Sequence, residues 1–244
     1  MQLNTFSIVA RCPRTAMLGV AVSTAVPAVG AICPHILPGV GAASTQAWVN
    51  PYLAVAALER LQQGDAPDAA LQAAIAGDAA REVRQIGLVD AAGRSASFSG
   101  AGCTPWFGHR TGDGHAIQGN MLTGPEVLDA MQAAFLAAEA SELAERLVLA
   151  LEAAQAAGGD KRGKQSAALL VRDAEAFAFV DLRVDEHRHP VAELRRVWTI
   201  FQLQVRPFLA GMPHRDGPAQ PAPDSVIAML MTPPPYRPGG GGSA

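Results

Sequence analysis

Thr5 and Ser7 stand in the first apolar run of the chain, where a hydroxyl side chain could serve as a nucleophile. Two β-branched or apolar runs, residues 4–11 and 18–24, flank a polar connection with Pro13, a pattern that predicts an antiparallel hairpin. A Thr, Ser or Cys freed as the first residue of a strand can attack a carbonyl while its own α-amine accepts the proton. The α-amine suits this role because its pKa is about 7.7 to 8.0. We take Thr5 as the candidate nucleophile and Ser7 as its competitor, although both are also ordinary strand residues.

Motifs of other common sites are missing from the sequence. It contains no G-x-S-x-G elbow, no G-x-x-x-x-G-K-[ST] phosphate loop and no H-E-x-x-H helix. The three cysteines form no C-x-x-C pair, which argues against a disulfide framework or a zinc site. The i, i+2 spacing of His187 and His189 favours solvated side chains over a metal site. We therefore expect neither a metal nor another cofactor.

The composition bounds the class of protein and its partners. With 244 residues, of which 49% are hydrophobic, the chain can bury a sizeable core in one large domain or two small ones. A formal net charge of -3 gives no basic surface for phosphates, so nucleic acid is not an expected partner. No apolar run approaches the roughly 20 residues that span a bilayer, and no signal-peptide pattern opens the chain. We expect a cytoplasmic protein with a small-molecule substrate, no membrane contact and a possible homo-oligomeric state.

Hydrophobic periodicity predicts runs of strands that alternate with helices. The predicted strands are residues 4–11, 18–24, 39–44, 85–90, 94–99, 115–122, 166–172 and 177–184. The predicted helices begin at Asn50-Pro51, at Asp65 with Pro67, at the T-x-x-E capping box of Thr123 to Glu126, at Ser141 and at Pro190. This order indicates an α+β layered fold in which antiparallel sheets carry helices on their outer faces.

The C-terminal residues 211–244 are rich in proline and glycine. Such a composition cannot bury enough apolar area to offset the entropy lost on ordering. We therefore predict one domain over residues 1–210 and a disordered tail over residues 211–244. The apolar piece 226–231 within the tail either docks on a partner subunit or stays solvated.

The sequence resembles the domain-of-unknown-function family 1028 through several blocks that follow in the family's order over about residues 5–200. The blocks are TFSIVAR at 5–11, GVAVS at 19–23, AVG at 28–30, PGVGA at 38–42, TQ at 45–46, QGNML at 118–122, GGDKRGKQS at 158–166 and VDLRVD at 180–185. This family is placed with the Ntn (N-terminal nucleophile) hydrolases by fold. The resemblance implies a four-layer α/β/β/α sandwich of two antiparallel sheets and an N-terminal nucleophile, and it leaves the substrate open.

Three further residues are candidates for the catalytic site. Ser23 ends the second strand, and pairing in the hairpin is expected to place it beside Thr5. The family commonly has a basic residue after this serine, whereas this chain has Thr24. Gln46 and Asn120 lie at strand ends and match family blocks, so their amides are candidate oxyanion donors. A purely structural amide bonded to nearby backbone is the open alternative for each.

The Gly-rich segment before the last strand pair supplies weaker candidates. Asp160, Gln165 and Ser166 could orient the amine or the substrate, although such residues also favour local hydrogen bonds in turns. Lys161 and Lys164 are the only lysines of the chain, so a lysine-assisted nucleophile has none in the first 160 residues. They form either a solvated basic turn or a contact for an acidic substrate group.

The leading hypothesis is an Ntn-type amidohydrolase that acts on a small amide or related C–N bond. It requires removal of Met1-Gln2-Leu3-Asn4, because an amide-bonded nitrogen on Thr5 is not basic. The alternatives are a catalytically silent small-molecule-binding protein on the same fold, and a scaffold subunit whose 226–231 piece engages a partner.

Overall fold

The computed structural model describes residues 2–3, 5–209, 211–215, 217 and 221–232. The chain divides into two compact units, Met1–Leu194 and Arg195–Ala244. Every strand of the described chain lies in the first unit. No helix in the described ranges is long and apolar enough to cross a membrane.

The strands form two antiparallel sheets. They are β1 (Gln2–Leu3), β2 (Thr5–Arg11), β3 (Leu18–Thr24), β4 (Pro34–Leu37), β5 (Gly41–Trp48), β6 (Arg84–Asp90), β7 (Ser95–Ser99), β8 (Gly108–Gly112), β9 (His115–Gly119), β10 (Ser166–Arg172) and β11 (Val180–Val184). The six-stranded sheet has the order β11-β10-β3-β2-β9-β8, which puts the predicted β2–β3 hairpin at its centre. The other sheet has β5, β6 and β7 in order, and both β1 and β4 pair with the free side of β5.

Two pairs of helices lie between strands, and further helices of the described chain follow the last strand. They are α1 (Pro51–Gln62), α2 (Pro67–Ala76), α3 (Glu126–Ala137), α4 (Leu143–Ala156), α5 (Pro190–Gln204), α6 (Arg206–Leu209) and α7 (Asp224–Met231). Asn50 caps α1 as predicted, because its side-chain oxygen accepts the backbone N–H of Tyr52 at 3.1 Å. Asp65 does not cap α2 and instead forms an ion pair with Arg60 at 2.6 Å. The predicted capping box at Thr123 does not form either, since its hydroxyl points to the carbonyl of a later residue.

Two apolar layers hold the sheet of β5, β6 and β7 in place. On its outer face α1 and α2 bury Leu53, Leu58 and Leu71 against Ile86 and Leu88 of β6. Each such side chain contributes roughly 1.5 to 3 kcal/mol when it leaves water. The inner face meets the six-stranded sheet, which explains why β6 is buried along its whole length.

The six-stranded sheet is covered in the same way by α3 and α4. Val9 and Val20 face the sheet of β5, β6 and β7 and pack with its residues Ala42 and Val89. On the other face a Cβ at Gly19 would lie 2.5 Å from Leu147 Cδ1, so glycine permits the close approach of α4. The layers therefore run helices, sheet, sheet, helices, and the predicted α+β sandwich of two antiparallel sheets is confirmed.

Several predicted element boundaries differ from the structure. The Gly-rich segment 100–114, predicted as a loop, contains strand β8, which pairs with β9 through a turn where Gly114 adopts φ +69°. The strand predicted at 39–44 runs on to Trp48, and β4 precedes it. The single helix predicted over 190–209 is divided into α5 and α6 at Val205. Glycines hide the strand pattern of β8, because they add no apolar side chain to the alternation.

The predicted tail is described only in part. Its apolar piece lies in α7, which spans Asp224–Met231 and was not predicted as a helix. Residues 233–244 lie outside the described part of the chain. The boundary at residue 210 and the disorder of 211–244 stay predictions.

One ion pair ties α1, the connection after α2 and β6 together. Asp78 accepts hydrogen bonds from Arg84 Nε at 2.8 Å and from Asn50 Nδ2 at 3.0 Å. Arg84 also donates to the carbonyl of Trp48 at the end of β5. The hydrogen bond from Arg84 lowers the pKa of Asp78 from 3.8 to about 2, against the opposing effect of burial. The carboxylate form is therefore more stable in the folded chain than in the unfolded one.

We predict that Asp78→Asn lowers the free energy of unfolding at pH 7 by on the order of 2 kcal/mol, measured by urea unfolding. Because the folded pKa is depressed, the contribution is full above the unfolded pKa and is lost as the pH falls from about 4 toward 2. The variant should therefore lose less stability than the parent over that interval. The matched control is Asp185→Asn, whose exposed partner Arg183 lies at 3.8 Å, with an expected change below about 0.5 kcal/mol. Equal losses for the two variants would contradict this account.

Candidate functional site

Thr5 is the first residue of β2 and is fully buried. The hairpin register pairs it with Thr24, the last residue of β3, and its hydroxyl donates to Thr24 Oγ1 at 3.3 Å. Side chains alternate along a strand, so Thr5 shares the inner face of the sheet with Ser7 and Val9. The candidate nucleophile therefore lies between the two sheets, at the end of the central strand.

The backbone of Thr5 is held from two sides. Its carbonyl accepts the backbone N–H of Asn120 at 3.0 Å and Gln46 Nε2 at 3.1 Å. Asn120 follows β9 in the same sheet, whereas Gln46 projects from β5 of the facing sheet. The structure thus brings together three of the predicted site residues, Thr5, Gln46 and Asn120.

Buried amides continue from this point as a connected group. We call Ser7, Gln46, Gln85, Gln118 and Asn120 the buried amide cluster. Gln85 Oε1 accepts Gln46 Nε2 at 2.8 Å and Asn120 Nδ2 at 3.0 Å. Ser7 Oγ donates to Gln46 Oε1 at 2.6 Å and accepts Gln118 Nε2 at 2.6 Å. Each member is at most 1% exposed, so these bonds replace water that the amides would otherwise bind, although Gln118 Oε1 is buried without a hydrogen-bond partner.

The members of the cluster differ in how many of their hydrogen-bonding groups are already used. Gln46 Nε2 has three acceptors within reach, Thr5 O, Gln85 Oε1 and Gln118 O, so neither of its hydrogens is spare. Asn120 Nδ2 donates only to Gln85 among the described residues, so one of its two N–H groups is not used there. The hydroxyl of Ser7 both donates and accepts within the cluster, so its geometry is that of a structural residue.

Ser23 does not lie beside Thr5 as predicted. In the register it pairs with Phe6, so its side chain points to the opposite face of the sheet. Its hydroxyl donates to the carbonyl of Ser166 on β10 at 3.1 Å. Thr24 takes the place expected for Ser23, because a shift of one residue moves a side chain to the other face.

The segment that contains Asp160 and Lys161 crosses the end of the sheet where β2 begins. On one side Asp160 Oδ2 accepts the backbone N–H of Ala25, just after β3, at 3.3 Å. On the other side Asp160 bridges to Leu122, and the Lys161 backbone N–H donates to Met121 O at 3.0 Å. Strand β2 lies between β3 and β9, so this segment passes over the end at which Thr5 stands.

The other predicted residues of this segment have structural contacts. The buried carboxylate of Asp160 is paired with Arg162 at 3.0 Å. Gln165 donates its backbone N–H to Thr24 O at 2.8 Å. Ser166 Oγ donates to Val26 O at 2.6 Å, and Lys161 Nζ donates to Pro105 O at 2.8 Å. In this structure Asp160 and Ser166 fix the loops around the end of β3.

Backbone strain occurs beside the two amides that hold Thr5. Ala47, next to Gln46, has φ 65°, and Met121, next to Asn120, has φ 52°. For a residue with a side chain this left-handed region is uncommon and costs of the order of 1 kcal/mol or more. Such strain concentrates at functional sites, where the surrounding structure holds it in place.

Sequence reasoning missed Thr24, Gln85 and Gln118. The hairpin pattern did not reveal Thr24, because one residue of register in the pairing of β2 and β3 decides whether Thr24 or Ser23 shares a face with Thr5. Gln85 and Gln118 stand at inward positions of β6 and β9, and an amide at a position that the alternation buries is itself a sign of a paired buried amide. Among the described residues no group of three or more His, Cys, Asp or Glu is placed to hold a metal ion.

Comparisons with known proteins give a family and a solved relative. The model of the Family of unknown function (DUF1028) matches residues 5–194, so the match begins at Thr5. The crystal structure of protein SPO2555 from Silicibacter pomeroyi, described with the DUF1028 model, has a TM-score of 0.79 at 30% identity, over 86% of this chain and 95% of that chain. Anbu (ancestral beta-subunit) from Yersinia bercovieri has a TM-score of 0.36 at 11% identity, over 86% of this chain and 98% of that chain. No curated protein matches.

We predict that Gln46→Leu lowers the free energy of unfolding by about 2 kcal/mol or more, because buried partners in the amide cluster lose their hydrogen bonds. Urea unfolding measures the change. The matched control is Gln72→Leu, which alters the same side chain at an exposed position of α2 and should change stability by less than about 0.5 kcal/mol. A Gln46→Leu protein as stable as the control would show that the cluster is not needed to hold the sheets.

Proposed function

The chain belongs to the DUF1028 family, and from that premise we propose that it is an N-terminal-nucleophile amidohydrolase with Thr5 as nucleophile. Its substrate would be a small molecule with an amide or related C–N bond. The observation that carries the proposal is the placement of Thr5 at the start of the central strand. There its hydroxyl contacts Thr24 and its carbonyl is fixed by Gln46 and Asn120.

The proposed reaction uses the α-amine of Thr5 as base. Thr5 Oγ1 attacks the substrate carbonyl and its proton passes to the amine, while the N–H of Asn120 not used by Gln85 stabilises the oxyanion. The C–N bond then breaks, the proton passes to the leaving nitrogen, and an acyl ester remains on Thr5. Water attacks this ester, again with the amine as base, to release the acid and restore the hydroxyl.

The geometry assigns different tasks to the neighbours of Thr5. Thr24 contacts the nucleophilic oxygen directly and can set its orientation. Gln46 acts as a positioning residue, since among the described residues its side chain bonds only the carbonyl of Thr5 and other members of the amide cluster. Asp160 holds the segment that passes over the site, through Ala25 and Arg162.

The residues before Thr5 must leave for this chemistry to begin. Gln2 and Leu3 form β1 and pair with Trp48 and Ala47, beside Gln46 on β5. While they are attached, the nitrogen of Thr5 is an amide and cannot accept a proton. Release occurs either by attack of Thr5 Oγ1 on the preceding carbonyl, which forms an ester that water hydrolyses, or by a separate peptidase.

A second candidate function is small-molecule binding or scaffolding without catalysis. Thr5 is fully buried with the leader attached, which favours this alternative. Lys161 lies in the segment that passes over the site. Its Nζ donates to Pro105 O and does not supply a free amine to the Thr5 hydroxyl. The state of the N-terminus in active protein separates the two functions.

We predict that active protein begins at Thr5, as measured by intact mass and N-terminal sequencing. A protein released with Thr5 at its N-terminus should hydrolyse members of a panel of small amides. Thr5→Ala should lower turnover by about 10³-fold or more, because the nucleophile is lost, while Thr5→Ser should retain activity. Ser23→Ala is the matched control, since it removes a hydroxyl one residue away on the opposite face, and it should keep turnover within a few-fold. Full activity in molecules that all retain Met1–Asn4 would contradict the proposal.

A further inference from the structure

A cavity lies at the opposite end of β2 from Thr5. Its volume is about 360 Å³, and Arg11 and Arg146 are among the residues that line it. Arg11 is the last residue of β2, six positions after Thr5, which corresponds to about 20 Å along an extended strand. This cavity is therefore distinct from the candidate catalytic site.

Arg146 is a buried guanidinium with unused donors. It lies on α4, is 4% exposed, and donates Nε to the carbonyl of Phe135 at 3.2 Å near the end of α3. Its Cζ stands 3.8 Å from the centroid of the Phe135 ring. Among the described residues it forms no ion pair and no further hydrogen bond, so four of the five N–H donors of a guanidinium remain. Burial lowers the pKa of Arg146, which reflects the cost of holding this charge away from water.

Arg11 adds a second guanidinium to the same cavity. Its Nε is buried without a hydrogen-bond partner, and its side chain forms no ion pair within the described ranges. Arg14 stands nearby and donates to the carbonyls of Glu139 and Ser141, which fixes the connection between α3 and α4 and adds positive charge. Unsatisfied buried donors of this kind are costly unless a ligand meets them.

The remaining walls of the cavity define what kind of ligand fits. Asp113 and Glu139 also line it, and both are exposed. Glu139 attracts the charge of Arg146, but neither carboxylate forms an ion pair with Arg11 or Arg146 in the described chain. Pro13, Phe135 and Leu136 supply apolar surface. The cavity thus combines two guanidiniums with an apolar wall, and planar guanidinium donors match carboxylate and phosphate oxygens.

We propose that this cavity binds an oxyanion, a carboxylate or a phosphate, carried by a small molecule with an apolar body. The oxyanion accepts hydrogen bonds from Arg146 and Arg11, and the apolar body packs on Phe135 and Leu136. This site does not depend on the proposed chemistry of Thr5, because none of its residues belongs to the amide cluster or contacts Thr5.

The test is calorimetric titration of the full-length chain with benzoate and, separately, with inorganic phosphate. At least one probe should bind saturably, and benzoate should bind more tightly if the apolar wall contributes. Arg146→Gln and Arg11→Gln should each weaken that binding by at least tenfold. Arg110→Gln is the matched control, because Arg110 is a strand arginine already paired with Asp129, and it should leave binding unchanged.

A second measurement on the unaltered protein covers the case in which a variant does not fold. Phenylglyoxal modifies accessible guanidiniums, and mass-spectrometric mapping should show Arg11 protected by the bound probe while Arg110 stays reactive. Absence of saturable binding by both probes would overturn the proposal. Binding that is unaffected by both cavity variants, or that leaves Arg11 unprotected, would equally overturn it by placing the anion elsewhere. The same titrations of Thr5→Ala should show the same binding, which separates this test from the test of the proposed activity.

Discussion

The pairing of buried amides between the two sheets is the interaction on which the rest of the structure depends. Polar groups that are removed from water must find partners, so each amide of the cluster restricts the position of the next. Gln46 from one sheet reaches the carbonyl of Thr5 in the other, and Gln85 joins Gln46 to Asn120. Sheet packing and site geometry are therefore set by the same hydrogen bonds.

The layer between the sheets changes character along β2. Near Arg11 it is apolar, with Val9 packed among residues of both sheets, whereas near Thr5 it consists of amides and hydroxyls. The two sheets pack closely at the polar end, since a Cβ at Gly87 would lie 2.0 Å from Gln118 Oε1. Apolar burial therefore holds the two sheets together near Arg11, whereas hydrogen bonds between amides hold them together near Thr5.

The sequence was sufficient for the hairpin, for α1 with its Asn50 cap and for the layered α+β class, because apolar periodicity and caps are local signals. It was not sufficient to choose Thr24 over Ser23, since one step of register decides which face a side chain occupies. It also could not assign Gln85 to the site, because the contacts of Gln85 join residues distant in the chain. The direction of every side chain at the site depends on the pairing of the two sheets.

Covalent trapping of the nucleophile tests the central claim most directly. A small β-lactone offers a carbonyl that Thr5 Oγ1 can attack, so that the ring C–O bond breaks, the acyl group stays on Thr5 as an ester and the proton moves to the released alkoxide. Peptide mapping by mass spectrometry should find one adduct, on the peptide that begins at Thr5, and none on chains that retain the preceding residues. An adduct on another residue, or equal labelling of chains with the leader attached, would contradict the account.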